Sequence, residues 1–218
     1  MPAKFEIIHM APEFTNSVLI SRGDEAVIID PWGRAEDWHA LLAERGLNLR
    51  ATYCTHGHPD HISAAPGLFA PESRRSGSAG GWFVNSRDHD LIQMEVFAGL
   101  MDYYGLPRIT NVSELQDLQP GEIEILPGLN MKIIASPGHS GGGLVFYFPT
   151  EKILLFGDTL FQDCVGRYDL PGASHAELKK SIAQIYNMNL PDDTVVIHGH
   201  GMETTIGWLK ENNRFFRG

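Results

Sequence analysis

Short apolar runs separated by polar turns set the rhythm of the chain. FEIIHM (5–10), SVLIS (17–21), EAVIID (25–30), ATYCT (51–55), MKIIAS (131–136), LVFYF (144–148), KILLFGD (152–158) and TVVIHG (194–199) are rich in β-branched and aromatic residues, which predicts strands. Several are apolar almost throughout rather than alternating, as in sheets covered on both faces. Between some of them the spacing of apolar residues becomes helical, over 35–46, 86–104 and 174–188. In 86–104, Ser86 is the expected N-cap, Asp88 and Asp90 suit the positive end of the helix dipole, and Gly105 follows the end. The pattern is that of a mixed α and β chain. No repeat or long linker interrupts it, and PESRRSGSAGG (71–81) reads as an exposed loop.

Composition narrows the choice. A chain of 218 residues with 43% hydrophobic content can bury one sizeable core, so a single domain over 1–218 is expected. Neither an apolar run long enough for a membrane span nor a signal-peptide pattern is present, and the two cysteines, Cys54 and Cys164, suit a reducing compartment; the expected location is cytoplasmic. A net charge of −10 opposes binding to nucleic acid or anionic lipid, leaving a small molecule as the expected partner and the oligomeric state open.

The stretch Thr55-His56-Gly57-His58-Pro59-Asp60-His61 changes the picture most. A helix would scatter these side chains and a strand would split them between two faces, so a loop shaped by Gly57 and Pro59 is needed to turn them toward one point. The other candidates each follow an apolar strand: His139 in SPGHSGGG, Asp158 in LLFGD, and His198 with His200 in VVIHGHG. Strands that deliver such groups to one edge of a sheet layer bring them together in space. Imidazoles and carboxylates in this number suit zinc and other borderline first-row metals. The grouping favours two ions: His56, His58 and His139 for one, Asp60, His61 and His200 for the other, with Asp158 between them.

With these residues in view, the chain resembles the metallo-β-lactamase-fold hydrolases, and within them the glyoxalase II (hydroxyacylglutathione hydrolase) branch. The resemblance is carried by THGHPDH (55–61), PGHSGG (137–142), GDTLF (157–161), GRYDLPG (166–172) and GHG (199–201), in the family's order. It implies a four-layer αββα sandwich with the metals at one edge of the paired sheets, and it selects His200 over His198 as the last ligand. It further implies hydrolysis of thioesters, such as acyl-glutathione or other small acyl-thiols, by a hydroxide shared between two divalent ions, most readily zinc, with iron or manganese as alternatives; Asp60 would orient that hydroxide. Ile62-Ser63-Ala64 stands where many relatives carry a glycine pair, and after TTIGWLKENNRFF the sequence shows no further helical segment of the kind that holds glutathione in glyoxalase II, so a weak dependence on the glutathione part is expected.

Other residues carry two readings. Asp30, closing AVIID, either accepts a hydrogen bond from a ligand imidazole or caps a turn. Arg167 either receives a substrate carboxylate or pairs with Asp169, and His198 either supports a ligand or packs. Trp82, Met94, Phe97, Met101, Tyr103 and Tyr104 line an acyl pocket or belong to the core. His9, His39, His89 and His175 are read as bystanders. Three further activities share the motif: a one-iron persulfide or sulfur dioxygenase, with His56, His58 and Asp158 around the ion, a lactonase, and a non-catalytic metal binder.

Overall fold

A computed structural model describes residues 1–10, 15–69, 80–110, 112 and 115–217; most of the loop expected over 71–81 lies outside the described residues. Twelve strands form two six-stranded sheets. The first runs β1 (Lys4–Ile8), β2 (Ser17–Arg22), β3 (Glu25–Ile29), β4 (Asn48–Tyr53), β5 (Trp82–Val84) and β6 (Leu115–Asp117), antiparallel up to β3 and parallel from there on. The second places β7 (Gly121–Leu126), β8 (Leu129–Ala135), β9 (Leu144–Phe148), β10 (Ile153–Gly157), β11 (Val195–His198) and β12 (Thr204–Thr205) side by side, with β10 and β11 parallel and the other pairs antiparallel.

Strand period explains the near-continuous apolar runs. In β2, Val18 and Ile20 face the other sheet while Leu19 faces outward, and in β9, Leu144, Phe146 and Phe148 face inward while Val145 and Tyr147 face outward. Both faces are covered. Helix α1 (Ala35–Glu44), with Trp38 and Leu42 one turn apart, packs on the outer face of the first sheet together with the short α2 (Pro59–Ile62) and α3 (Ala65–Leu68). On the outer face of the second lie Leu178, Ile182 and Ile185 of one later helix (His175–Asn187) and Ile206 and Leu209 of another (Ile206–Asn212). The layers therefore run αββα, the architecture that the sequence resemblance implies. Ser174 caps the first of these late helices by accepting a hydrogen bond from the Glu177 N–H.

One expected element is corrected. Residues 86–104 are not one helix: a 3₁₀ turn over Ser86–Asp88 leads into α4 (His89–Ile92), the chain extends at Met94 (ψ 135°), and α5 (Glu95–Tyr103) follows. The late helices are thus α6 and α7 in chain order. Ile92 and Met101 would lie on opposite faces of one straight helix, nine residues and half a turn out of phase. Both are buried, Ile92 beneath the first sheet and Met101 beside Trp32, and the break at Met94 allows this. The cap is Asn85 rather than Ser86, its side chain accepting from the Arg87 N–H at 3.1 Å.

Candidate metal centre

The carboxyl ends of β3, β4, β8, β10 and β11 meet along one edge of the two sheets. Thr55, directly after β4, ties the sheets together: its N–H donates to Asp30 Oδ1 at 2.7 Å and its carbonyl accepts from Leu144 N at 2.7 Å. From this anchor the chain bends through His56 and Gly57, and His58 is extended, with ψ 146°. Pro59 then starts α2, which carries Asp60 and His61. The change from extended to helical backbone inside six residues is how one short loop turns four donors inward. His139 arrives on the loop after β8, Asp158 on the turn after β10, and His200 on the turn after β11.

The seven side chains converge. His56, His58 and His139 offer nitrogens within 4.8 Å of one another, as do the donors of Asp60, His61 and His200, and those of His56, His61 and Asp158. His58 Nδ1 lies 2.8 Å from His139 Nε2. Asp158 faces both sides, with Oδ1 3.4 Å from His61 Nε2 and Oδ2 3.5 Å from His139 Nε2 and 3.6 Å from His200 Nε2. Asp60 Oδ2 lies 3.1 Å from His200 Nε2 and 3.4 Å from His61 Nε2. Several of these residues have a buried atom that makes no hydrogen bond: Nε2 of His56, His58 and His61, and Oδ1 of Asp158. A buried polar atom without a hydrogen bond is costly, and divalent cations would supply partners for imidazole nitrogens and carboxylate oxygens gathered in this way. The donor set is that of a dinuclear divalent metal site.

Charge is finely divided within it. Burial, reinforced by His139, lowers His58 to about 3, and burial with the neighbouring His61, His58 and His139 holds His56 well below the usual imidazole range, so both are bare bases. Burial alone would lower His61, but the carboxylates of Asp60, Asp158 and Asp30 raise it well above that range. Burial alone would likewise raise Asp60, yet His61 and His200 keep it ionised.

The description of the metallo-beta-lactamase superfamily matches residues 10–200 of this sequence. The chain belongs to that superfamily. Among curated relatives it is 38% identical over 196 residues to the hydroxyacylglutathione hydrolase GloC of Haemophilus influenzae, covering 87% of this chain and 86% of that one. Among solved structures it is similar to BLEG-1 B3 metallo-beta-lactamase, at 30% identity and a TM-score of 0.83 over 99% of this chain and 100% of that one. It is also similar to TTHA1623 in a di-iron-bound form, at 30% identity and a TM-score of 0.79, covering 96% and 99%.

Around this metallo-beta-lactamase centre, an outer layer of hydrogen bonds fixes the rings. Asp30, held at φ 51°, accepts from Thr55 Oγ1 at 2.7 Å and faces His61 Nδ1 at 3.0 Å. Thr55 Oγ1 also meets His56 Nδ1 at 3.1 Å; with its own proton directed to Asp30, it is left to accept from that ring and leave Nε2 as a lone pair. His139 Nδ1 reaches the Arg167 carbonyl at 2.8 Å, so Arg167 serves the site through its backbone. Its exposed guanidinium pairs with Asp169 at 2.9 Å. His198 points away from the cluster, to the Leu160 carbonyl at 2.6 Å and Thr204 Oγ1 at 3.0 Å. Of the aromatic and methionine side chains, Phe97 packs on His58, Trp82 and Met101 are core, and Met94 and Tyr103 are exposed. Two residues escaped the sequence reading. Asn16 holds the turn that carries His200 through Nδ2 to the carbonyls of His198 (2.9 Å) and Gly201 (2.8 Å). Asp88, expected merely to favour a helix dipole, is buried against the loops that carry His56, His58 and His139.

Proposed function

We propose that this chain is a thioester hydrolase working on small acyl-thiols, acyl-glutathione among them, with two divalent ions and zinc as the native metal. The observation that carries the reading is the meeting of two donor triads across Asp158, three imidazoles on one side and Asp60, His61 and His200 on the other. The likeness to the hydroxyacylglutathione hydrolase supports the substrate class, and TTHA1623 in a di-iron-bound form makes iron the competing occupant. Ions held there would polarise a substrate carbonyl and bring the pKa of a water from 15.7 toward about 7.

The protein's own groups do the rest. Asp30 and Thr55 keep the rings of His61 and His56 turned so that their Nε2 atoms face the cluster. Asp60 lies at the open side, with its side chain 23% exposed, and can accept a hydrogen bond from the attacking water and aim it at the carbonyl carbon. No side-chain nucleophile is needed, and Cys54 is unsuited to be one because burial and Asp30 push its thiol well up. A departing thiolate requires little proton donation, which fits a site whose buried imidazoles are committed as ligands. The free thiols, buried Cys54 and exposed Cys164, suit work in the cytoplasm; among the described residues no helix is long and apolar enough to cross a membrane. The net charge of −10 suits a small-molecule partner better than a nucleic acid.

The test is elemental analysis of the protein as purified, together with turnover on a panel of glutathione and simpler thioesters, lactones, phosphodiesters and glutathione persulfide. Close to two first-row ions per chain and thioester hydrolysis are expected. Turnover confined to lactones, or oxygen uptake on persulfide by a one-iron protein, would overturn the reading.

A further inference from the structure

We infer that Asp88 is a positioning residue that locks together the two loops carrying His56, His58 and His139, and so sets the affinity of that triad for its ion. The inference rests on the metal-centre reading above. Asp88 closes the 3₁₀ turn after β5, a turn fastened to the first sheet by Asn85, whose Nδ2 donates to the Leu118 carbonyl at 2.8 Å. Its carboxylate is 1% exposed and is met by three donors. Oδ2 accepts from Gly57 N at 2.9 Å and Ser140 Oγ at 2.7 Å, and Oδ1 accepts from Gly142 N at 2.6 Å. Gly57 sits between His56 and His58, and Ser140 follows His139. One carboxylate thus gathers two loops that lie 81 residues apart in sequence, and the two rings it aligns approach to 2.8 Å.

Close approach gives an independent observation. A Cβ at Gly57 would lie 2.8 Å from Asp88 Cβ, and one at Gly142 would lie 2.7 Å from Asp88 Cγ. Both glycines are required by this one side chain, which accounts for the glycine inside His-Gly-His. The chemistry also demands a carboxylate. All three partners can donate, and an ionised aspartate only accepts. An asparagine in its place must point its NH₂ at either the Gly57 or the Gly142 N–H, leaving a buried donor facing a donor. The second triad is held by other means, Asp30 behind His61 and Asn16 behind the His200 turn, so a fault at Asp88 should be confined to the first.

Calorimetric zinc titration of the chelated, full-length protein measures this, with the ring resonances of His139 and His200 reporting which triad fills at each step. Asp88→Asn should weaken the triad containing His139 by roughly 10- to 100-fold and leave the other within about threefold. Ser140→Ala, which removes one of the three bonds and is the milder change, should show the same bias to a smaller degree should Asp88→Asn fail to fold. Equal weakening of both triads, or wild-type affinities in the variants, overturns the inference while leaving the dinuclear reading intact. A wild-type chain that binds a single ion overturns the dinuclear reading instead; Asp88 is then judged on that ion, and an unchanged affinity in Asp88→Asn rejects it. A wild-type chain that binds none rejects both.

Discussion

Replacing Asp158 by alanine tests the architecture of the centre more sharply than loss of any one histidine. Its two oxygens lie 3.4 to 3.6 Å from the Nε2 atoms of His61, His139 and His200, so the carboxylate faces both triads at once. A unit charge about 3.5 Å away contributes roughly 5 kcal/mol at an effective dielectric of 20. Water admitted to the vacated space reduces this, and removal of one partner from a buried charged pair costs about 3–5 kcal/mol in practice. Each triad should therefore lose roughly two to four powers of ten in zinc affinity, at about 1.4 kcal/mol per tenfold. His200→Ala should deplete only the triad of Asp60 and His61, because His139, His56 and His58 do not depend on it. The assay is zinc titration of both variants, with thioester turnover measured at saturating metal. Two zinc ions bound by Asp158→Ala with wild-type affinity, and normal turnover, would refute the bridging role and with it the reading of Gly-Asp-Thr at the end of β10.

Two further outcomes follow from the outer layer and from the protons of the metal-free site. Thr55→Val keeps the shape but leaves Asp30 without one donor and the His56 Nδ1–H without its acceptor, a loss of about 3 kcal/mol or more; thermal unfolding of the chelated variant should show it, and an unchanged midpoint would mean that the relay from Asp30 to His56 contributes nothing. For pH, His58 sits at about 3 in the folded chain and near 6.5 when unfolded, so the unfolded state takes up the proton first. The stability it contributes is complete above about 6.5 and declines as pH falls toward about 3, by about 2 kcal/mol between pH 6.5 and 5. His56 acts in the same direction. His61 and His200 are raised and act oppositely, losing their contribution as pH rises through their folded values, so the chelated protein should be most stable near neutrality. Denaturant unfolding at pH 5 and 7 checks the acid limb, and equal midpoints would contradict it.

What could be read from the sequence was whatever announces itself locally. Strands such as β9 and β10 are apolar on both faces because each sheet is covered twice, and a run of five such residues carries that signal alone. The donors stood out because polar side chains that are expensive to bury followed those runs directly. Asp88 gave no such sign: two of its three partners are backbone N–H groups 31 and 54 positions away in sequence, which leave no mark on side-chain identity, and the third is the hydroxyl of Ser140, 52 positions away. Its trace was displaced onto Gly57 and Gly142, where the missing Cβ records the contact. The break at Met94 was hidden for a related reason. The spacing of apolar residues in 86–104 fits a helix at each step, and only the separate burial sites of Ile92 and Met101 require two axes.

The same division between local and distant signals explains why the centre sits where it does. The first sheet brings Asp30, His56, His58, Asp60 and His61, and the second brings His139, Asp158 and His200, so neither sheet holds a complete triad except through the short contact between them. Inner-face side chains such as Ile29, Tyr53, Leu144 and Leu155 pack the sheets together just beneath that edge. Spacing between donors is therefore set by a close-packed core together with the hydrogen bonds that fasten the loops to it. His58 and His139, from opposite sheets, approach to 2.8 Å, and because His139 Nδ1 donates to the Arg167 carbonyl its Nε2 is left to accept from the His58 ring. Packing beneath the edge and the hydrogen bonds behind the rings hold the donors together, and a donor set preformed in this way would lose little conformational freedom on binding an ion.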